Sequence, residues 1–127
     1  MRKLAALLLL AVLPSWGLST KAKRRLTFAA VAVAQILDVH SSLGRREANP
    51  LLRGPDGRFS VGRGVGVKLG VLAGLWAAQE LYPSQEWNWV NLGYAGATTA
   101  IAIRNYRLPA PKTTPPAIQP GTLPGSP

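Results

Sequence analysis

The sequence predicts an all-α integral membrane bundle of three transmembrane helices that follow an N-terminal signal or signal anchor. Three observations lead there: apolar stretches of span length, a shortage of charge, and basic residues gathered beside those stretches. Charged residues make up 16% of the 127-residue chain, against about 25% in an ordinary soluble domain. The Lys and Arg residues fall mostly at Arg2 and Lys3, Lys21 to Arg25, Arg45 to Arg63, and Arg104 to Lys112. Cations flanking apolar segments orient and anchor a membrane protein. A net charge of +10 also raises nucleic acid as a partner. No aromatic platform or reader motif is interleaved with that charge, so the expected partner is the lipid bilayer and no nucleic acid. Cysteine is absent, which excludes disulfides, thiolate metal sites and cysteine nucleophiles.

Residues 1–20 read as a signal peptide or signal anchor. Arg2 and Lys3 precede the apolar run Leu4 to Leu13, which Pro14 to Gly17 interrupts before the basic stretch from Lys21. The run is too short to cross about 30 Å of hydrocarbon, and no small-x-small pair marks a sharp cleavage site, so both cleavage and retention stay open.

The helical domain covers 21–107, with spans expected at about 26–43, 64–82 and 87–103. At about 1.5 Å per residue each reaches about 25 to 29 Å, close to the hydrocarbon thickness. Gln35, Asp38, Lys68, Asn91 and Thr98 interrupt them. Segments this polar are expected to pack on other helices, because lipid does not solvate polar atoms. The loop 44–60 carries Arg45, Arg46, Arg53 and Arg58, while 83–86 has no basic residue. The first loop and the tail are therefore expected on the cytoplasmic side, with Tyr82, Trp87 and Trp89 at the outer interface and Tyr106 at the inner one. Lys21 to Arg25 run against that topology. Residues 108–127 form a Pro-rich tail with few large apolar side chains, read as disordered and solvated, with a tether or a ligand for a Pro-binding partner as the alternative.

The second span carries the clearest spacing. Gly62, Gly66, Gly70, Gly74 and Ala78 recur every fourth residue and line up one narrow helix face that another backbone can approach closely. Gly93, Ala97 and Ile101, or Gly96 and Ala100, offer a matching surface on the third span. The stripe is expected to pack either inside the bundle or against a homo-oligomer or membrane protein partner.

The first span carries the polar constellation. Gln35, Asp38 and Ser42 share one face, and His40 and Ser41 lie in the last turn. Three readings compete: a structural cluster joining Asp38 to Ser41, Ser42 or a loop arginine; a metal or proton site of Asp38, His40 and Glu47; and a nucleophilic serine with His40. Asp38 and His40, two residues apart, point about 200° away from each other on a helix, which counts against joint chelation. No metal or other cofactor is expected. Gly44 suits a helix cap, and Pro50 biases Asn49 away from helix, so the chain is expected to turn here.

Asp38, Ser41 and Ser42 at a helix end, then Gly44 and the string Glu47, Ala48, Asn49 and Pro50, resemble a group of small bacterial multi-span membrane proteins of unknown function. In that group a helix ending in Asp and Ser or Thr is followed by Gly and an E-x-N-P element. The resemblance covers about residues 26–105 and implies a multi-pass protein of the bacterial inner membrane, without an activity. Ser41, Ser42, Gly44, Asn49 and Pro50 would form its interface element. Two function classes follow. The favoured one is a structural or accessory membrane subunit that packs through the glycine face. The alternative is a transporter component or membrane enzyme with Asp38 as proton carrier or base and His40 and Glu47 assisting.

Overall fold

Ser19 starts the first helix. In the computed structural model, which describes residues 17–109, its side chain accepts a hydrogen bond from the Ala22 N–H at 3.2 Å and opens α1, Thr20–Ser42. Such a cap satisfies one of the N–H groups that a helix start leaves unpaired. The helix expected from residue 26 thus begins six residues earlier, and Lys21 to Arg25 are part of it. Lys and Arg are good helix formers, and no Gly or Pro interrupts the stretch. Helix α2, Val61–Leu81, and helix α3, Trp87–Arg107, lie close to the expected 64–82 and 87–103. No strand occurs among the described residues. The signal or signal anchor at 1–20 and the tail at 108–127 fall outside the described residues except at Gly17–Thr20, Leu108 and Pro109.

Helix α1 is the hub. It packs extensively along α3 and more sparingly against α2. Val31 and Ala34 of α1 meet Ala95 of α3, with Ala30, Leu72 and Leu75 around them. Small side chains at that contact let the two backbones approach. Phe28 and Trp76 add an edge-on ring pair with centroids 5.1 Å apart between α1 and α2.

The interior is richer in polar than in apolar groups. Arg24, Thr27, Gln35, Ser41, Gln79, Asn91 and Thr98 are buried, whereas Ile36, Leu69, Trp89 and Ile101 are more than half exposed. A water-soluble bundle distributes these types the other way. Among the described helices, α2 alone is long and apolar enough to cross a membrane, and only 6% of its span-length window is buried. A core helix of a soluble protein would be mostly covered.

The connection from α1 to α2 is folded. Gly44 takes a positive φ of 69° just past the helix, the left-handed conformation in which glycine avoids a Cβ clash. The backbone of Arg45 and Glu47 then pairs with that of Phe59 and Gly57 at 2.9 and 3.1 Å. Phe59 is buried against α2, where Gly64 makes room for its ring: a Cβ on Gly64 would overlap Phe59. Gly64→Ala is therefore expected to displace the ring and cost about 1–3 kcal/mol. A thermal melt in detergent checks it, and an unchanged midpoint would show that the ring has somewhere else to go.

Candidate functional site

Gln35, Asp38, Lys68 and Asn91, which interrupt the helices, find partners inside the bundle, where polar side chains form three tiers. The tier nearest the α2–α3 turn is built from Thr27, Gln79 and Asn91, one from each helix. Asn91 Nδ2 donates to Gln79 Oε1 at 3.0 Å and to Thr27 Oγ1 at 3.1 Å, and Gln79 Nε2 donates back to Asn91 Oδ1 at 3.2 Å. Asn91 is 0% exposed and Gln79 2%, so every one of these amide bonds replaces one that water would have made. At the same end, Arg24 Nη2 stands 3.7 Å from Glu80 of α2. The basic cluster that runs against the expected topology is thus partly neutralised from within.

The middle tier centres on Lys68. Its ammonium donates to Asp38 Oδ2 at 2.5 Å and to Gln35 Oε1 at 2.7 Å, and Gln35 Nε2 donates to the Tyr94 hydroxyl at 2.7 Å. The side chains of Lys68 and Asp38 are only 14% and 15% exposed. A charge this far from water is tolerated when it is paired and its remaining hydrogen-bonding positions are filled. The tier joins all three helices: Gln35 and Asp38 from α1, Lys68 from α2, Tyr94 from α3. The partner of Asp38 is therefore Lys68 and not Ser41, Ser42 or a loop arginine. Ser41 Oγ instead donates to the Asp38 main-chain carbonyl at 3.0 Å.

In the tier at the loop end, Asn105 Nδ2 donates to Ser41 Oγ at 3.3 Å and to Ser42 Oγ at 3.4 Å. His40 Nδ1 lies 2.6 Å from the Tyr106 hydroxyl. Arg45 reaches from the start of the loop to the carbonyls of Ser41 at 2.8 Å and Pro109 at 3.1 Å, tying the ends of α1 and α3.

The chain matches no protein-family model, no curated protein and no solved structure.

Asp38, His40 and Glu47 are not brought together. Asp38 is engaged by Lys68 of α2 and His40 by Tyr106 of α3, so the two side chains have separate partners. Glu47 Oε1 accepts the Asn49 N–H at 2.8 Å, and Asn49 Oδ1 accepts the Leu51 N–H at 3.0 Å. The E-x-N-P element is thus a self-capped turn: Glu47 and Asn49 satisfy main-chain donors, and Pro50, which has none to satisfy, supplies the fixed φ. Among the described residues no three His, Asp or Glu side chains converge as metal ligands. His40 pairs with a tyrosine and not with a serine, so the nucleophilic arrangement is not assembled either.

An apolar groove of about 470 Å³ runs between α1 and α2, bordered by Ile36, Val39, Val65 and Leu69. Gln35, His40 and Lys68 reach its wall, but Asp38 does not line it.

A Cβ on Gly62, Gly66, Gly70 or Gly74 would meet nothing within 4 Å, and neither would one on Gly93 or Gly96. The two small-residue surfaces do not pack on each other within the described residues. Helix α2 turns Lys68, Leu72, Leu75 and Gln79 inward, so the stripe of Gly62, Gly66, Gly70 and Gly74 is exposed. The glycine on α2 that does make room for a neighbour is Gly64, which lies off the stripe. Sequence reasoning marks Lys68 as an interruption of its helix but does not pair it with Asp38, and it misses Gln79. A lone base and a lone acid at matching heights of consecutive apolar segments was the available signal for that pairing.

Proposed function

We propose that the protein is a three-span bundle of the bacterial inner membrane that acts as a structural or accessory subunit, packing against a membrane partner through the glycine face of α2. The observation that carries the reading is the open stripe of Gly62, Gly66, Gly70 and Gly74 on the most apolar helix. Close backbone approach is the main source of helix association where lipid removes the hydrophobic drive. The buried polar tiers and exposed apolar side chains support a lipid surround for all three helices, since lipid rewards that distribution and water penalises it. Tyr82 and Trp89, 75% and 77% exposed at the α2–α3 turn, fit an interfacial aromatic belt. The likeness of the Asp38–Pro50 stretch to small bacterial multi-span proteins points the same way. The ion pair held by Asp38 favours a structural over a proton-carrying role, because its carboxylate is engaged by Lys68 and lies off the groove wall.

Gly70→Leu tests the reading. A Cβ at Gly70 meets nothing within 4 Å and the position is exposed, so the monomer is expected to fold with a nearly unchanged melting midpoint. The native mass of the complex in mild detergent is expected to fall to that of a single chain. A wild-type protein that is already a bare monomer, or a Gly70→Leu variant that keeps its complex, would sink the glycine face as the docking surface.

A further inference from the structure

The loop end of the bundle holds a surplus of positive charge that the protein does not use. Seven arginines gather there, from the α1–α2 connection, the first turn of α2 and the last turn of α3, against two acids, Glu47 and Asp56. Both acids cap main-chain N–H groups, of Asn49 and Arg58. Arg45 is spent on helix-end carbonyls and Arg63 on the Arg53 carbonyl at 2.8 Å. Arg46, Arg53, Arg58, Arg104 and Arg107 make no side-chain hydrogen bond or ion pair among the described residues. The connection holds its share in fixed places, since Arg46 stands opposite Arg58 and Arg53 opposite the buried Phe59 in antiparallel bridges. The other end of the bundle differs: the four basic residues at 21–25 share it with Glu80 and Glu86, and Arg24 is paired with Glu80.

We infer that this arginine face binds the anionic headgroups of a lipid bilayer. The inference rests on the membrane reading above and adds the chemistry of the leaflet that this end meets. The cleft between Arg46 and Arg53 also contains Glu47 and Asp56, so it is balanced in charge and unsuited to one isolated anion. The surplus is spread across the whole end of the bundle, which matches a plane of headgroups. Leu51 is 66% exposed, and Leu43 and Val61 are also exposed, so apolar side chains stand among the arginines as they do on surfaces that settle at the acyl boundary. Charge of this kind draws a segment to the anionic cytoplasmic leaflet, by about fivefold in affinity for each arginine near the surface.

The test is a native mass spectrum of the full chain in mild detergent supplied with equal amounts of phosphatidylglycerol and phosphatidylcholine. The wild type is expected to retain phosphatidylglycerol preferentially. The triple variant Arg46→Gln, Arg53→Gln, Arg58→Gln is expected to lower that preference at least fivefold, and Lys at the same positions to keep most of it. The single variants Arg46→Gln and Arg53→Gln change exposed side chains and are expected to shift the ratio in the same direction, so the claim does not hang on the triple variant folding. Equal retention of the two lipids by the wild type, or a glutamine series with an unchanged ratio, overturns the inference. So does displacement of phosphatidylglycerol by a short RNA at equal charge, which would assign the face to nucleic acid. Carbonate extraction of the same membranes separates this claim from the one beneath it: release into the supernatant sinks the spanning reading, whereas the lipid ratio alone decides the headgroup.

Discussion

Lys68→Met is expected to destabilise the protein by about 3–5 kcal/mol, and adding Asp38→Leu to recover most of that loss. The first change leaves a carboxylate in a site that is 15% exposed, with its cation gone. Breaking a buried pair costs this much because the remaining charge stays desolvated, while replacing both members with apolar groups of similar volume is often neutral or better. Gln35 would lose a donor too, since Lys68 also fills its side-chain carbonyl. Unfolding of the single and double variants in detergent, followed by tryptophan fluorescence, reads the difference. A double variant as unstable as Lys68→Met alone would mean that the lysine stem or the Gln35 contact, and not the charge, holds α2 to α1. The same double variant also weighs the two function classes. A subunit whose Asp38 is structural should still assemble normally without it, whereas a proton carrier cannot do without the carboxylate.

Asn91→Leu ranks second. It removes three hydrogen bonds that link α3 to both other helices and strands the Gln79 amide, 2% exposed. Interhelical hydrogen bonds in lipid average about 0.6 kcal/mol each, and an unmatched buried amide costs about 1–3 kcal/mol. A loss of about 2–3 kcal/mol is expected, smaller than for Lys68→Met because no net charge is left behind. Asn91→Leu combined with Gln79→Leu should be less harmful than Asn91→Leu alone. If the two losses simply add, the reciprocal pairing is not what stabilises this tier.

The helices were legible because periodicity and length act locally. Two of three starts lie within three residues of those read from the sequence, and the early start of α1 follows from the Ser19 cap and the helix-forming Lys, Ala and Arg residues after it. The polar sites were legible as positions but not as partners. Gln35, Asp38, Lys68, Asn91 and Thr98 all stood out as interruptions, yet Asp38 was matched to neighbours in the chain when its partner lies 30 residues away on the next helix. Which helix lies between the others depends on the summed packing of small residues such as Ala34 and Ala95, and local patterning does not encode it. The glycine stripe shows the same limit. Spacing reveals that a smooth face exists, but not whether the chain's own third helix covers it.

The central position of α1 bears on how the protein is made. This helix leaves the ribosome first, yet the groups that satisfy Asp38 and Gln35 belong to Lys68 and Tyr94, which are synthesised later. On the three-span reading proposed above, α1 with Thr27, Gln35, Asp38 and Ser41 unmatched has no reason to partition into lipid by itself. That reading has its entry wait for α2, the one described helix apolar enough to enter alone, so that the pair inserts as a hairpin that the Lys68–Asp38 contact closes. Truncated nascent chains ending before and after α2 should then differ sharply in whether α1 resists carbonate extraction. The residue that completes the ion pair would thereby also set the order of biogenesis.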